Sequence, residues 1–590
     1  MRKTLAIILS FAMLLSLVVI GASAVGTYER PEAEIKKITS EAEFLAMDPN
    51  GAYSIEADLT LTKPYEQPFK GEIYGKGHKI TLSTPMFEDF NGGICDLTLE
   101  GKILADKQDV GAVARKATVG SKITFLNITV NVEIEVTGIE VTKMDTEGNP
   151  TDIGGGKYAG GILGYGDQYA RLTFVNCKNT KDITNNVVMN SYSSENNINK
   201  GINFSVYVGG MVGRCYRAVF SFCENSGNLT TKSNRGAVAG IAANAGHGGM
   251  TYDVDAYDCI NRGNITGGYD AGGIFGYLGS SGNRVDTYYI VRCANFGTIR
   301  GAYRIGGIFG YCYATGSSTD AYWQIIGCIS AADVYGAPIE YKDGSLGECF
   351  VGLLTGYSNS KYNTYKHCLA KGRVLPSEGG KTADSAGVVK FFKCVLGCSS
   401  AKVLEMTVEN LYLCDEGTTE WYSYATAEKN AAQVIPIANA HEGVKLCTEG
   451  ELGNVVTTLN NALNALAEND AEKDILVLNA GSLEFDAAKR AARLAADATD
   501  IIITTTTEEN LEPTDTEPKP TDTDAKPTDT DAKPTGTDAK PTGTDAKPTG
   551  TTAATKPEGG CAGCGGFTAV AALAAVLVGS AAFVVVRKKF

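Results

Sequence analysis

Two short elements decide the fold: Ala271-Gly-Gly-Ile-Phe-Gly-Tyr277 and, sixteen residues later, Cys293-Ala-Asn-Phe-Gly-Thr-Ile299. The first recurs as Tyr158-Ala-Gly-Gly-Ile-Leu-Gly-Tyr165, Val208-Gly-Gly-Met-Val-Gly213, Ile305-Gly-Gly-Ile-Phe-Gly-Tyr311 and, degraded, Val351-Gly-Leu-Leu-Thr-Gly-Tyr357. The second alternates with it at Cys177, Cys223, Cys259, Cys328 and Cys368, so that successive cysteines lie 34 to 46 residues apart. A helical repeat of that length needs two long stretches of 3.6-residue period. These units instead hold short β-prone runs, such as Tyr288 to Val291 and Gln324 to Ile326, broken by Gly and Asn. Three strands per unit are expected: one at the glycine pair, one running into the cysteine and one at Gly-x-Ile. Stacked coil upon coil, equivalent strands pair in parallel about 4.8 Å apart, each covering the edge of the one before. The fold class read here is all-β, a right-handed parallel β-helix, with glycine pairs at close approaches and Asn or Gly before the third strand supplying positive φ.

The composition agrees. Gly is 69 of 590 residues, about 12% against roughly 7% on average. The formal charge is −14, and the portion between the basic ends is more acidic still, which argues against a nucleic-acid partner.

The Gly-Gly-Ile-x-Gly-Tyr and Cys-x-Asn-x-Gly-x-Ile elements resemble the GLUG-motif repeats of bacterial surface β-helix proteins, some of which accompany IgA-cleaving metalloproteases. Ile38-Thr-Ser-Glu-Ala-Glu-Phe44 and Phe69-Lys-Gly-Glu-Ile-Tyr-Gly-Lys-Gly-His-Lys-Ile80 are similar to the opening coils of such domains. The resemblance covers roughly 35 to 415, with clear repeats from 158 to 375, and implies fold and surface location more firmly than activity.

The ends are read as targeting segments. Residues 1–24 have a basic start, an apolar run and an Ala22-Ser23-Ala24 exit, the pattern of a signal peptide. Residues 567–586 carry no charge and are as long as a bilayer core is thick, with Arg587-Lys588-Lys589 following at 587–590. They are expected to be a transmembrane helix with a cytoplasmic tail. Between them, 511–566 is a Pro/Thr-rich stalk in which Lys-Pro-Thr starts at Lys519, Lys526, Lys533, Lys540 and Lys547. At about 3.1 Å per residue its repetitive part would reach on the order of 140 Å. The β-helix is assigned to 25–415 and a mixed, helical region to 416–510, read as a cap over the open end of the solenoid or the base of the stalk, on the periodicity of Leu452, Val455, Val456, Leu459, Leu463 and Leu466.

All but Cys561 and Cys564 of the sixteen cysteines precede the stalk. One cysteine per coil reads as a buried stack of small apolar side chains or as disulfides between coils, and packing alone would produce the former. Cys394 and Cys398 make a better-spaced bridge. Cys561-Ala-Gly-Cys564 lacks the βαβ context of a redox motif. His441-Glu442 opens a His-Glu-x-x-His pattern, but position 445 is Lys, so a zincin site is excluded. His78, His247 and His367 read as structural, and no metal or cofactor is expected.

A lyase or hydrolase would need carboxylates converging with a basic residue, for which Asp253 and Asp255 are the nearest candidates. Aromatics beside carboxylates instead suit sugar stacking or protein contact. Tyr252, Asp253, Asp255, Tyr257, Tyr288, Tyr289, Tyr322 and Trp323 are therefore the candidate ligand-binding surface of a non-enzymatic surface protein, with a carbohydrate-active enzyme and a purely structural envelope component as the alternatives. Its expected partner is an extracellular glycan or a protein on a host or neighbouring surface, and its expected location is the cell surface, held by the C-terminal helix.

Overall fold

The computed structural model describes residues 31 and 34–414, with breaks at 119–121, 145–149, 189–204, 234, 247–253, 282–286, 316–321, 341–344, 359–361, several positions from 384 to 390 and 397–405, and then 443–466, 476–479 and 482–498. The signal peptide, stalk, membrane span and tail read from the sequence lie outside the described residues. No helix among the described residues is long and apolar enough to cross a membrane.

The described chain winds as a parallel β-solenoid. Two large sheets, of 28 and 14 strands, are built from pairings between successive coils that are parallel throughout. One coil shows the pattern: Asp270–Gly272 and Phe275–Ser281 lie in the smaller sheet, and Thr287–Val291, Ala294–Asn295 and Ile299–Gly301 in the larger. Each expected strand is thus present, the first split around its glycine pair and a further two-residue strand following the cysteine. The coils begin before the repeats, at Lys36–Ile38 against Ala52–Ile55. A short helix, α1 (Glu41–Leu45), capped by Ser40, inserts Phe44 into the core against Phe87 at 5.4 Å.

Alternate side chains of each strand enter the core, and like residues stack on like. Phe125, Phe174 and Phe220 stand in register with ring centroids 4.7 and 4.9 Å apart, stacked nearly parallel. Ala256, Ile290, Ile325 and Tyr365 continue the column. Beside it runs a polar ladder. Asn179, Asn225, Asn261 and Asn295 are wholly buried, and each Nδ2 donates to the carbonyl two residues on. The first three also donate to the Oδ1 of the next asparagine at 2.8, 2.8 and 2.7 Å.

Close backbone approach explains the glycine pairs, and the ladder adds to it at the second position. A Cβ on Gly210, Gly240 or Gly273 would lie 1.9, 2.2 or 2.2 Å from the carbonyl oxygen of the equivalent glycine on the next coil, and 2.8, 2.6 or 2.5 Å from the Cβ of Asn225, Asn261 or Asn295, while at the first position Gly209, Gly272 and Gly306 would strike a carbonyl of their own coil at 1.9 to 2.0 Å. The second glycine of each pair and the asparagine of the other element thus share one contact.

The corner with positive φ lies elsewhere than expected. It falls on the residue immediately before the cysteine position, at Asn127, Asn176, Phe222, Asp258, Arg292, Gly327, His367 and Asn410, with φ between 49° and 65°. Gly227, Gly263 and Gly297, before the third strand, have ordinary φ and are small for another reason. A Cβ there would strike the carbonyl of the preceding coil, and at Gly263 also Asn225 Nδ2 at 2.9 Å.

Periodicity fades after Glu409, yet Leu411–Cys414 and Val444–Cys447 add a further rung, and Cys414 and Cys447 form a disulfide in register. The segment that follows runs back along the flank of the solenoid, which corrects the expectation of a cap over its open end. Helix α2 (Leu452–Leu466) lays Leu452, Val455, Val456, Leu459 and Leu463 on Ile260, Ala294, Ile329 and Leu369, the outward residues just after four successive coil cysteines. Beyond a hairpin of Leu476–Asn479 and Ser482–Phe485, Glu484 grips Arg262 with both carboxylate oxygens at 2.9 and 2.8 Å. Helix α3 (Ala487–Ala498) then places Arg493 Nη1 2.5 Å from Asp258 and hydrogen-bonds Arg490 Nη2 to Asp258 O. The physical reason is the apolar row itself: a stripe of outward Ile, Ala and Leu across four coils has to be covered, and the amphipathic α2 fits along it.

Two measurements test this account. Asn261→Ala strips a rung from the ladder, leaving Asn225 Nδ2 with only its Gly227 carbonyl and removing the donor that Asn261 supplies to Gly263 O and Asn295 Oδ1, and unfolding in urea should show a loss of about 2–4 kcal/mol. The Asp258 pair should act on the strap. Burial works to raise that carboxyl, but Arg292 and Arg493 outweigh it and hold it below its usual 3.8. A carboxyl lowered on folding stabilises above the unfolded value and loses that contribution as pH falls through the folded one. Hydrogen-exchange protection at 487–498, taken relative to the intrinsic exchange rate at each pH, should therefore be high at neutral pH and fall below about pH 4. Arg493→Ala should cost the docked strap about 3 kcal/mol at pH 7.

Candidate functional site

The parity of the strand into the cysteine divides the residues picked out by sequence. Counting back from Cys293 and Cys328, the third and fifth residues point inward, and these are Ile290 with Tyr288 and Ile325 with Trp323. Tyr288 and Trp323 are fully buried and stack on each other at 4.2 Å across adjacent coils. They are core residues, and the expectation that they form part of an open aromatic strip is corrected by this alternation. Tyr289, Tyr322 and Tyr257 lie on the outer face and are partly exposed. Asp255 is buried and accepts a hydrogen bond from the Tyr289 amide at 2.9 Å. Tyr252 and Asp253, with His247, Asp286 and Asp320, lie outside the described residues, so the proposed convergence of Asp253 and Asp255 has one described member.

A different set of aromatics is gathered by the smaller sheet. The tyrosine that ends Gly-Gly-Ile-x-Gly-Tyr stands on its outer face. In register there, one to a coil, are Tyr165, Arg214, Asn244, Tyr277, Tyr311 and Tyr357. The neighbouring row holds Tyr158, Tyr207, Ala237, Asp270, Arg304 and Phe350. Two arginines sit among these rings.

Arg304 is paired: Nε lies 2.6 Å and Nη2 3.1 Å from the Asp270 carboxylate of the preceding coil, and Cζ is 3.4 Å from the Tyr311 ring centroid. Arg214 is enclosed by phenols instead. Nη1 donates to Tyr158 Oη at 3.0 Å and Nη2 to Tyr216 Oη at 2.6 Å, while Cζ stands 4.9 Å from the Tyr216 ring and 6.0 Å from that of Tyr207. Tyr165 and Tyr207 both stack on Tyr158, at 5.0 and 5.7 Å. Burial pushes the phenols of Tyr165 and Tyr216 up, so both stay neutral. Arg214, Tyr165, Tyr207 and Tyr216 each keep partial exposure. The sequence signal for this site was the tyrosine closing each glycine element, read earlier only as a repeat marker.

The coil cysteines are buried and free, with no disulfide among Cys177, Cys223, Cys259, Cys293, Cys328 and Cys368. Each thiol donates to backbone carbonyls, Cys223 to Phe174 O and Ser221 O at 3.5 Å, for example. The same inward position is Ile128 one coil earlier and Leu411 one coil later, so packing sets it. Of the bridge considered between Cys394 and Cys398, Cys394 falls on the strand Phe391–Leu396 and Cys398 lies outside the described residues, as do Cys561, Cys564 and His441. His78 meets Asp58 at 3.2 Å near the surface, and His367 occupies a positive-φ corner facing Asn410. Among the described residues no group of His, Cys, Asp and Glu could hold a metal ion. A surface depression lined by Thr84, Ile103, Gln108, Asp109 and Arg115 encloses about 50 Å³, far short of the roughly 300 Å³ at which small-molecule pockets begin.

Comparison with known proteins adds little beyond this geometry. No family model matches the chain, and no curated protein matches it. Among solved structures it is similar to a Bacteroides ovatus protein provisionally named an immunoglobulin A1 protease, at 12% sequence identity and a TM-score of 0.31, covering 78% of this chain and 95% of that one. A likeness of that order carries no argument about activity.

The thiol ladder yields a prediction. Burial holds the Cys223, Cys259, Cys293 and Cys368 thiols well above 9.0; at Cys328 burial acts the same way but hydrogen bonds with Cys293 and Cys368 outweigh it, and all six ladder cysteines are closed to solvent. Maleimide labelling of the folded protein at pH 8, read by mass spectrometry, should leave the six ladder cysteines unmodified until denaturant is added. Rapid labelling of the native protein, or loss of accessible thiols after denaturation without reductant, would overturn the assignment of a reduced, packed stack.

Proposed function

We propose that this chain is an exported, membrane-anchored surface protein of the GLUG-repeat kind, whose β-solenoid binds an extracellular glycan or a protein on a neighbouring surface and catalyses no reaction of its own. The observation that carries the reading is the outer face of the smaller sheet, where Tyr165, Tyr277, Tyr311 and Tyr357 stand in one register row, with Arg214 and Asn244 between the first two. Flat aromatic faces and phenolic hydroxyls at a repeat of about 4.8 Å suit a long ligand better than a small one, because a solenoid flank offers many equivalent weak contacts in a line. The apolar N-terminal leader, the Pro/Thr stalk and the charge-free C-terminal segment support display of that face away from the cell.

A carbohydrate-active enzyme is the rival reading. It calls for carboxylates and a base open to one groove, whereas Asp255 is buried with its carboxylate on a backbone amide. That placement favours binding over catalysis.

The full-length protein, purified in detergent, should retain at least one ligand on combined glycan and matrix-protein arrays while leaving candidate polysaccharides uncut. Tyr207→Ala and Tyr313→Ala, both partly exposed on this face, should each weaken retention roughly three- to tenfold. Cleavage of a polymer without retention of any ligand would sink the proposal, and retention unaffected by either substitution would remove this face from it.

A further inference from the structure

Strand alternation leaves one apolar row without an account. Tyr74, Cys95, Leu126 and Val175 stand in register on four successive coils, each next to a core residue, Ile73, Ile94, Phe125 or Phe174, and therefore on the opposite, outer side of the larger sheet. An outward row should meet water. These four are at most 2% exposed, whereas Ser221 and Tyr257, at the same position on the next two coils, are partly open. The row is thus covered over the early coils alone. Among the described residues, the partly buried hydrophobic side chains packed on this cluster are Ile35, which precedes the strand Lys36–Ile38 of the same sheet, and Leu494 of α3. One leucine cannot close a row that three coil-to-coil steps of about 4.8 Å make about 14 Å long.

The course of the strap points to what continues the cover. Glu449 meets Lys371, Leu463 lies against the corner at Gly327, Glu484 holds Arg262, Arg493 reaches Asp258 and the Phe222 ring, and Leu494 joins the cluster that includes Val175. The chain therefore moves steadily from late coils to early ones. Helix α3 ends at Ala498, and three residues further on the sequence reads Ile501-Ile502-Ile503, the only run of three large apolar residues between α3 and residue 567. Consecutive β-branched residues in a stretch otherwise rich in Thr, Glu and Pro suit an extended segment laid on a sheet face. The reach suffices: four helical residues from Leu494 to Ala498 rise about 6 Å. Five extended ones to Ile503 add about 16 Å.

We infer that Ile501-Ile502-Ile503 completes the strap by docking on the outer row of Val175, Leu126, Cys95 and Tyr74. The outward residues of the early coils are then covered as Ile260, Ala294, Ile329 and Leu369 are on the later ones, each row by its own part of one returning chain. The chain enters the Pro/Thr stretch beside the early coils, so a load carried by the tether falls on this seam. That consequence rests on the proposed anchor; the seam itself does not.

Cys95 lies in the row and reports on its cover. In the full-length protein, purified in detergent at pH 8, maleimide should leave Cys95 unmodified, as read by peptide mass spectrometry. The combined change Ile501→Asp, Ile502→Asp and Ile503→Asp should speed labelling of Cys95 at least about tenfold by opening the seam locally, while Cys259 and Cys293 inside the coils stay protected. Rapid labelling of Cys95 in the unaltered protein, or a Cys95 still protected in the triple variant, would overturn the inference. Protection lost on Val25→Asp with Tyr28→Asp, and kept in the triple variant, would give the cover to the N-terminal segment and overturn it too. Labelling of Cys259 and Cys293 together with Cys95 in the triple variant would mean that the coils had opened as a whole. Cross-linking then decides: in Ile501→Cys, Ile502→Cys and Ile503→Cys, made singly and oxidised with diamide, a disulfide from at least one new thiol to Cys95 upholds the docking, and none from any of the three overturns it.

Discussion

The structure depends on a contact between an amide and the absence of a side chain. Inside the solenoid, Asn225, Asn261 and Asn295 fill the space that Gly210, Gly240 and Gly273 leave open, and each amide ties its own coil's turn while most reach to the next coil. Buried amides are tolerated because nearly every donor is used, and full use is possible in one register only. A slip of one residue would send the amides to the surface and the charged outer row inward. The ladder therefore fixes alignment as much as it adds stability. Where it stops, at Ser330, the facing pair Gly306-Gly307 is still intact, and it degrades to Gly352-Leu353 only one coil later, where Ala370 takes the asparagine position. The glycine outlasts the amide because the carbonyl of the next coil excludes a side chain there with or without it.

The cysteine column works by a looser rule. Ile128 and Leu411 continue it at either end, so the site asks for a modest apolar volume and no particular chemistry. Thiols add weak hydrogen bonds to carbonyls that a methyl could not make, which suits a position set beside a positive-φ corner. Phe222 and Arg292 adopt that corner conformation although it is uncommon outside Gly, Asn and Asp, and each is in contact with the strap or its ion pairs.

Much of this was legible from residues alone. Paired glycines alternating with Cys-x-Asn at near-constant spacing required strands, coils and parallel stacking, and the thiol stack followed from one equivalent position per coil. Side-chain direction was harder. Tyr288 and Tyr289 are adjacent and chemically alike, and only counting back from Cys293, with Phe174 and Phe220 marking the inward phase at the same offset, tells which faces the core. The strap was misplaced for a related reason: Ile260, Ala294, Ile329 and Leu369 read as strand residues, while their shared outward direction, which demands a cover, appears only once the coils are stacked. The cage around Arg214 joins residues 158, 165, 207, 214 and 216, and no spacing rule links them until two coils lie side by side.

Charge is treated differently on the two flanks, and the difference bears on what each is for. Along the strap, every cation that leaves water meets an anion: Arg262 has Glu224 and Glu484, and Arg292 and Arg493 share Asp258. Those contacts close an apolar seam and are complete within the chain. On the smaller sheet Arg304 follows the same rule and Arg214 breaks it. A solenoid can add or omit a charge on one coil without disturbing the next, because each rung touches only its neighbours. Among the described residues Arg214 meets no carboxylate; two phenol hydroxyls accept its hydrogen bonds, and the rings of Tyr158, Tyr207 and Tyr216 stand against its guanidinium. The two flanks thus handle buried charge by different means, one by ion pairs that close an apolar seam and the other by aromatic faces and hydroxyls supplied from two adjacent coils.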